Sequence, residues 1–388
     1  MTPPESILIV GASAAGLGTA EALRRQGYTG RLTLLDAEPH LPYDRPPLSK
    51  QVLAGAWEPA RAQLRTQEQL DALGAAFVRG EPATALDARE RAVTTASGRV
   101  VRADAVVIAT GLVPCRLPGQ DGLAGVHVLR GLDDSLALRL GLTAARRLVV
   151  VGEGVLGAEI AATARSMGLD VTLVGMGRAI LADQLGDVIA GHLARTHEER
   201  GVRLRLGVTV EALTGAAGRV RGVRLATGET LDADAVVAAI GSRPATGWLA
   251  GSGLRLGDGV ECDARCRAAD GVYAVGDVAS FHHEVMGRRL RLENRTNATE
   301  QAQVVAANLL GADRPYTPIP YFWTDQYDVK IQAHGLPSQE AVASVTDGDP
   351  EQHRFAAVYR EEGRVTGVLG WNMAKQARVL RQQHLTPA

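Results

Sequence analysis

The chain has 388 residues, 46% hydrophobic and 22% charged, with a net charge of −1. This is the composition of a globular protein of two or three domains, and so balanced a charge gives no bulk attraction to nucleic acid or to an anionic membrane. Apolar runs such as 105–109 and 148–151 are far too short to span a bilayer, and residues 1–6 lack the basic start of a secretory signal. The three cysteines, Cys115, Cys262 and Cys266, contain no C-x-x-C pair, and no Cys/His cluster has metal-ligand spacing. A cytoplasmic protein with reduced thiols and no metal is expected.

Short β-rich apolar runs alternate with Ala/Arg/Leu-rich stretches. Residues 7–10, 32–35, 105–108, 148–151, 171–174, 236–240 and 272–275 read as buried parallel strands, and 19–26 and 159–167 as helices. This is an α/β pattern with more than one sheet. A strand, a Gly-rich turn, a helix and a second strand occur at 7–35 and again at 148–174, which predicts two nucleotide-binding units. After about Tyr316 aromatics appear (Tyr321, Phe322, Trp323, Tyr327), then strand-like segments at 355–360 and 364–370; this predicts a smaller α+β domain.

The first loop, Gly11-Ala12-Ser13-Ala14-Ala15-Gly16, is G-x-S-x-x-G, close to the dinucleotide fingerprint G-x-G-x-x-G. Gly11 permits the tight turn, a small residue at 13 lets backbone approach a pyrophosphate, and Gly16 lets helix pack on strand. Asp36 and Glu38 follow the second strand, where a carboxylate binds a ribose hydroxyl. The second loop, Gly152-Glu153-Gly154-Val155-Leu156-Gly157, is a full fingerprint, but its second strand ends at Gly175-Met176-Gly177-Arg178. An NAD-selective site usually carries an acid at 175. Without it nothing there repels a 2′-phosphate, so coenzyme choice is expected to be weak, and Arg178 reads equally well as a surface charge or a phosphate contact.

Residues 41–50, Leu-Pro-Tyr-Asp-Arg-Pro-Pro-Leu-Ser-Lys, carry a more specific signature. Together with Ala109-Thr110-Gly111, the second fingerprint, residues 271–277, Asn297-Ala298 and residues 321–327, in that order, the chain resembles the ferredoxin reductases that feed ring-hydroxylating dioxygenases and bacterial haem monooxygenases. Apoptosis-inducing factor shares the framework. The resemblance implies a glutathione-reductase-type fold: two Rossmann-like dinucleotide-binding domains, for FAD at 1–112 with 244–316 and for NAD(P)H at 113–243, plus a C-terminal α+β domain at 317–388. It implies that FAD is held by Gly11, Ser13, Ala14, Ala15, Gly16, Asp36, Glu38, Arg45, Thr110, Gly111, Arg130, Gly276, Asp277, Asn297 and Trp323. NAD(P)H is assigned to Gly152, Gly154, Leu156, Gly157, Gly175, Arg178 and Gly241. Lys50 and Glu159 are the implied catalytic pair: Lys50 near flavin N5, Glu159 orienting Lys50 and the nicotinamide carboxamide. On sequence alone Glu159 reads as a first-turn helix acid. The implied activity is hydride transfer from NAD(P)H to flavin and single-electron transfer to a two-iron ferredoxin. A redox-sensing flavoprotein and a ferredoxin-independent oxidase are the alternatives.

The chain departs from that family at Glu153, expected to put a negative charge near the pyrophosphate, and at Gly175, Ala245 and Arg295. Arg288, Arg289, Arg291 and Arg295 form a basic stretch expected to dock an acidic ferredoxin.

Overall fold

In the computed structural model, residues 3–336 and 340–385 are described. Their contacts divide the chain into two units. Residues 1–44, 62–113 and 243–318 form the first, and 45–61, 114–242 and 319–388 the second.

The first unit is built on a six-stranded sheet in the order Arg267–Ala269, Val272–Ala274, Ala105–Ile108, Ser6–Val10, Arg31–Leu35, Ala76–Val78. All neighbours are parallel except the first two. Val106, Val107 and Ile108 and Leu8 and Ile9 are wholly buried, as strands covered on both faces must be. Helices Ala14–Arg25 and Arg295–Leu309 pack against each other in this unit.

The second unit carries a five-stranded parallel sheet in the order Arg203–Arg205, Asp170–Val174, Arg147–Val151, Ala235–Ala238, Val126–His127. A second, antiparallel sheet is made of Tyr321–Gln326, Val329–Gly335, Arg364–Trp371, Arg354–Glu361 and Val342–Asp349 in that order, with helix Ala374–His384 against it. The C-terminal residues therefore group with the second nucleotide unit. Buried polar bonds tie this antiparallel sheet to helix Ala182–Glu199: Tyr359 Oη donates to Leu185 O at 2.8 Å, and His197 Nε2 lies 2.7 Å from Gln326 Oε1.

Segment 45–61, expected within the FAD domain, also groups with the second unit. Its 3-10 turn Pro46–Ser49 is held from two helices: Ser135 Oγ donates to Leu48 O at 2.7 Å and Thr163 Oγ1 to Ser49 O at 2.8 Å.

Both loop helices begin earlier than their sequence suggests, at Ala14 and Val155 rather than 19 and 159. The last residues of each fingerprint are already the first helical turn. The third core strand of the second sheet ends at Ala238, two residues short of the expected 240, where Ala239 N–H turns to donate to Val151 O at 2.7 Å.

Candidate functional site

Both glycine loops are built alike. Gly11 N–H donates to Leu35 O and Gly152 N–H to Val174 O, each at 2.7 Å, so each loop leaves its first strand bonded to the end of the second. Gly11 and Gly152 have φ of +103° and +121°, and a Cβ on either would fall within 2.3 Å of a carbonyl oxygen, Ala109 O or Ala239 O. A Cβ on Gly16 or Gly157 would lie 1.8 or 1.9 Å from the oxygen of Gly11 or Gly152. These four glycines are required by the fold itself.

Gly154 differs. A Cβ there meets nothing within 4 Å, and its φ and ψ of −73° and −177° suit any residue. It caps helix Val155–Ser166, as Ser13 caps Ala14–Arg25, and neither helix has a side-chain cap bond. An open cradle at an uncapped helix N-terminus fits a pyrophosphate, which takes the free N–H groups and the positive end of the dipole. Ala14 and Ala15 in one loop and Leu156 in the other sit in these first turns, with Ser13 just before its own.

Beyond the first loop, Asp36 holds backbone: its Oδ2 accepts from Ala12 N–H at 2.7 Å and its Oδ1 from Glu38 N–H at 3.0 Å. Glu38 accepts from the Tyr43 hydroxyl. Thr110 Oγ1 donates to Ala245 O at 3.0 Å, and Ala245 N–H to Gly111 O at 2.9 Å. Position 245 thus works through its backbone, which explains why alanine serves there. Gly276 has φ +76°, its N–H donates to Gln301 Oε1 at 2.7 Å, and Asp277 follows it in the short turn Gly276–Val278. Asn297 is committed to the fold: Nδ2 donates to Leu292 O at 3.0 Å and Oδ1 accepts from Tyr316 Oη at 2.9 Å. In this unit the departure Arg295 opens the helix Arg295–Leu309, where a cation opposes the dipole; Asp44 offsets it, 2.8 Å from Arg295 Nε.

The second unit gathers Lys50, Glu159 and Trp323. Lys50 Nζ lies 2.7 Å from Glu159 Oε2, which also accepts from Ser49 Oγ at 2.5 Å, while Thr324 Oγ1 donates to Oε1 at 2.8 Å. Lys50 stands over the Trp323 ring, 5.2 Å from its centroid. Glu159 is the fifth residue of its helix, not a first-turn acid. Its charge is held by three donors rather than by the dipole. Ser49 and Thr324 carried no sequence signal of their own; each stands next to a singled-out residue. Arg45 Nη1 donates to Arg130 O at 2.8 Å, and Arg130 N–H to Asp134 Oδ2 at 2.9 Å. Gly241 has φ +92°, and its carbonyl accepts from Cys115 N–H at 3.0 Å.

Two expectations change. Glu153 does not lie over the pyrophosphate cradle: its Oε1 accepts from Gly177 N–H at 2.7 Å, beyond the second strand. A carboxylate does therefore stand beside Gly175, and Arg178 is paired with Asp187 at 2.5 Å. The basic stretch is also less available than its composition suggests. Arg289 donates to Cys262 O and Ser280 O, Arg291 pairs with Asp258 and Glu293, and Arg295 with Asp44; Arg288 is exposed.

Cys262 and Cys266 are fully buried, and burial pushes both thiols up, Cys266 to about 12. Among the described residues no group of three or more His, Cys, Asp or Glu could hold a metal ion, and no helix is long and apolar enough to cross a membrane.

Two dinucleotide cradles on separate, largely parallel sheets, with a buried lysine–glutamate pair, define an oxidoreductase of the two-nucleotide class. The family model for pyridine nucleotide-disulphide oxidoreductases matches residues 5–302, and that for the reductase C-terminal domain matches 321–384. A probable ferredoxin reductase of Castellaniella defragrans is 36% identical over 372 residues, 95% of this chain and 90% of that protein. The solved ferredoxin reductase for the CYP199A2 system from Rhodopseudomonas palustris matches with a TM-score of 0.94 at 33% identity, covering 98% of this chain and 94% of its own. Putidaredoxin reductase, in its covalent complex with putidaredoxin, matches at 0.92 and 31%, covering 97% and 92%. The chain belongs to the pyridine nucleotide-disulphide oxidoreductase family. It works with FAD and NAD(P)H.

Proposed function

We propose that the chain takes hydride from NAD(P)H onto FAD and passes single electrons to an acidic two-iron ferredoxin, which serves a haem monooxygenase or a ring dioxygenase. The observation that carries this reading is the pair of matched glycine loops, each opening an uncapped helix. The names of the relatives reported above, two ferredoxin reductases and putidaredoxin reductase, support the acceptor. When bound, FAD supplies the conversion of a two-electron donor into single electrons.

The residues divide by unit. In the first, Gly11, Ser13, Ala14, Ala15 and Gly16 hold the FAD pyrophosphate, and Glu38 takes the ribose while Asp36 braces the loop. Thr110, Gly111, Gly276 and Asn297 shape the flavin site, and Asp277 accepts the ribityl hydroxyls. In the second, Gly152, Gly154, Leu156 and Gly157 hold the nicotinamide coenzyme's pyrophosphate, with Gly175, Arg178 and Gly241 at the edges of that site. Arg45, Arg130 and Trp323 flank the cofactors. Lys50 is aimed by Glu159, 2.7 Å away, so that its amine faces the reacting groups at a fixed point. Arg288 offers an exposed charge for ferredoxin.

Anaerobic stopped-flow measurement tests the reading. NAD(P)H should bleach the flavin, and an oxidised two-iron ferredoxin should restore its colour within the turnover time. Reduced flavin that persists with ferredoxin but not with oxygen would mean an oxidase; persistence with both would mean a redox sensor. Asp277→Ala should lose FAD on gel filtration, since a hydrogen bond to a charged group contributes about 1.5–3 kcal/mol.

A further inference from the structure

We infer that Glu153 is the residue that selects NADH over NADPH, standing in for the acid missing from position 175. This rests on the second loop being the nicotinamide coenzyme's site, and it names the coenzyme that site takes.

The matching strand-end hydrogen bonds, Gly11 to Leu35 and Gly152 to Val174, align the two loops residue by residue. Glu153 then occupies the place of Ala12, Gly175 that of Asp36, and Gly177 that of Glu38. In the first unit a carboxylate grown from the strand end, Asp36, accepts from Glu38 N–H at 3.0 Å. In the second, a carboxylate grown from the glycine loop, Glu153, accepts from Gly177 N–H at 2.7 Å. The same backbone donor binds a carboxylate in both units, but the side chain arrives from the opposite direction.

Gly175 is glycine because that space is filled. A Cβ there would lie 2.2 Å from Glu153 Oε2 and 2.7 Å from Glu153 Cβ, and swinging the carboxyl away relieves only the first. A Cβ on Gly177 would likewise lie 2.7 Å from Glu153 Oε1. The extra acid at 153 and the absent acid at 175 are thus one exchange. The carboxylate's Oε2 carries no hydrogen bond among the described residues, so it can accept a ribose hydroxyl while Oε1 stays on Gly177. A 2′-phosphate in that place would face a negative charge. Arg178, the cation of this turn, is already paired with Asp187 at 2.5 Å.

The test is calorimetric binding of NAD+ and of NADP+ to the oxidised holoenzyme, alongside steady-state kinetics. Wild type should bind NAD+ at least tenfold more tightly. Glu153→Gln keeps the acceptor for Gly177 N–H and removes the charge. It should lower the NAD+ to NADP+ affinity ratio by about tenfold or more, as expected for one charged hydrogen bond, with flavin content and melting temperature unchanged, and should act on KM for NADPH rather than on kcat. Moving the acid back, Glu153→Gly with Gly175→Glu, should restore the ratio. A wild type that binds both nucleotides equally, or a Glu153→Gln ratio within twofold of wild type, overturns the inference. A wild type that binds neither overturns the reading beneath it.

Discussion

Lys50 Nζ and Glu159 Oε2 are 2.7 Å apart, with their side chains only 11% and 7% exposed. A buried pair of this kind stabilises little against an apolar replacement, but breaking it leaves one charge uncompensated. Lys50→Ala should therefore cost about 3 kcal/mol of stability, partly offset by Ser49 and Thr324, which still donate to Glu159. Lys50→Met combined with Glu159→Gln should recover most of it while leaving flavin reduction slow. Equal chemical-denaturation midpoints for wild type and Lys50→Ala would show that the pair bears no buried charge.

Gly154 and Gly157 separate ligand from fold. A Cβ at 157 collides with Gly152 O at 1.9 Å, whereas one at 154 meets nothing of the chain. Gly157→Ala should melt several degrees early or fail to accumulate. Gly154→Ala should melt as wild type and bind nicotinamide nucleotides about tenfold more weakly, because backbone approach to the pyrophosphate is lost. Calorimetry on a folded Gly154→Ala showing unchanged affinity would count against the cradle.

Acid should loosen the second unit. His334, stacked on Tyr321 with ring centroids 4.7 Å apart, has a buried Nε2 with no hydrogen-bond partner; burial first, then Arg381 and Arg378, lower its pKa from 6.5 to about 4. Between those values the unfolded chain binds a proton that the folded chain does not, so stability falls as pH drops through that window and is fully kept above it. His197, also buried and shifted downward, adds to the same trend. His334→Phe should flatten the fall in melting temperature between pH 6.5 and 4.5; an unaltered slope would remove His334 from the account.

Native thiol titration should find one reactive cysteine of three. Cys115 is half-buried, while Cys262 and Cys266 are wholly buried with raised pKa values, and thiolate is the reacting form. Rapid labelling of Cys262 or Cys266 in folded protein would reopen thiol chemistry as part of the mechanism.

The sequence made the strands at 7–10 and 148–151 legible because short Val, Ile and Leu runs end at glycine, and the motifs at 11–16, 41–50, 152–157 and 271–277 carried their own spacing. Contacts made at long range were not legible. Ser49 and Thr324 meet Glu159 across 110 and 165 residues, and Arg295 finds Asp44 across 251. Glu153 read as a misplaced charge because spacing says which residue is present but not which way its side chain leaves the backbone. Counting arginines at 288–295 likewise could not reveal that three of them are already engaged.

The tie between segment 45–61 and the C-terminal sheet has a bearing on recombination. Lys50 and Ser49 come from the one, Thr324 and Trp323 from the other, and all four converge on Glu159 or Lys50. A chimera that exchanged only the last seventy or so residues for a relative's would pair a foreign strand with a native turn. The viable crossover is a two-piece graft in which the turn travels with the sheet, although some 260 residues of chain lie between them.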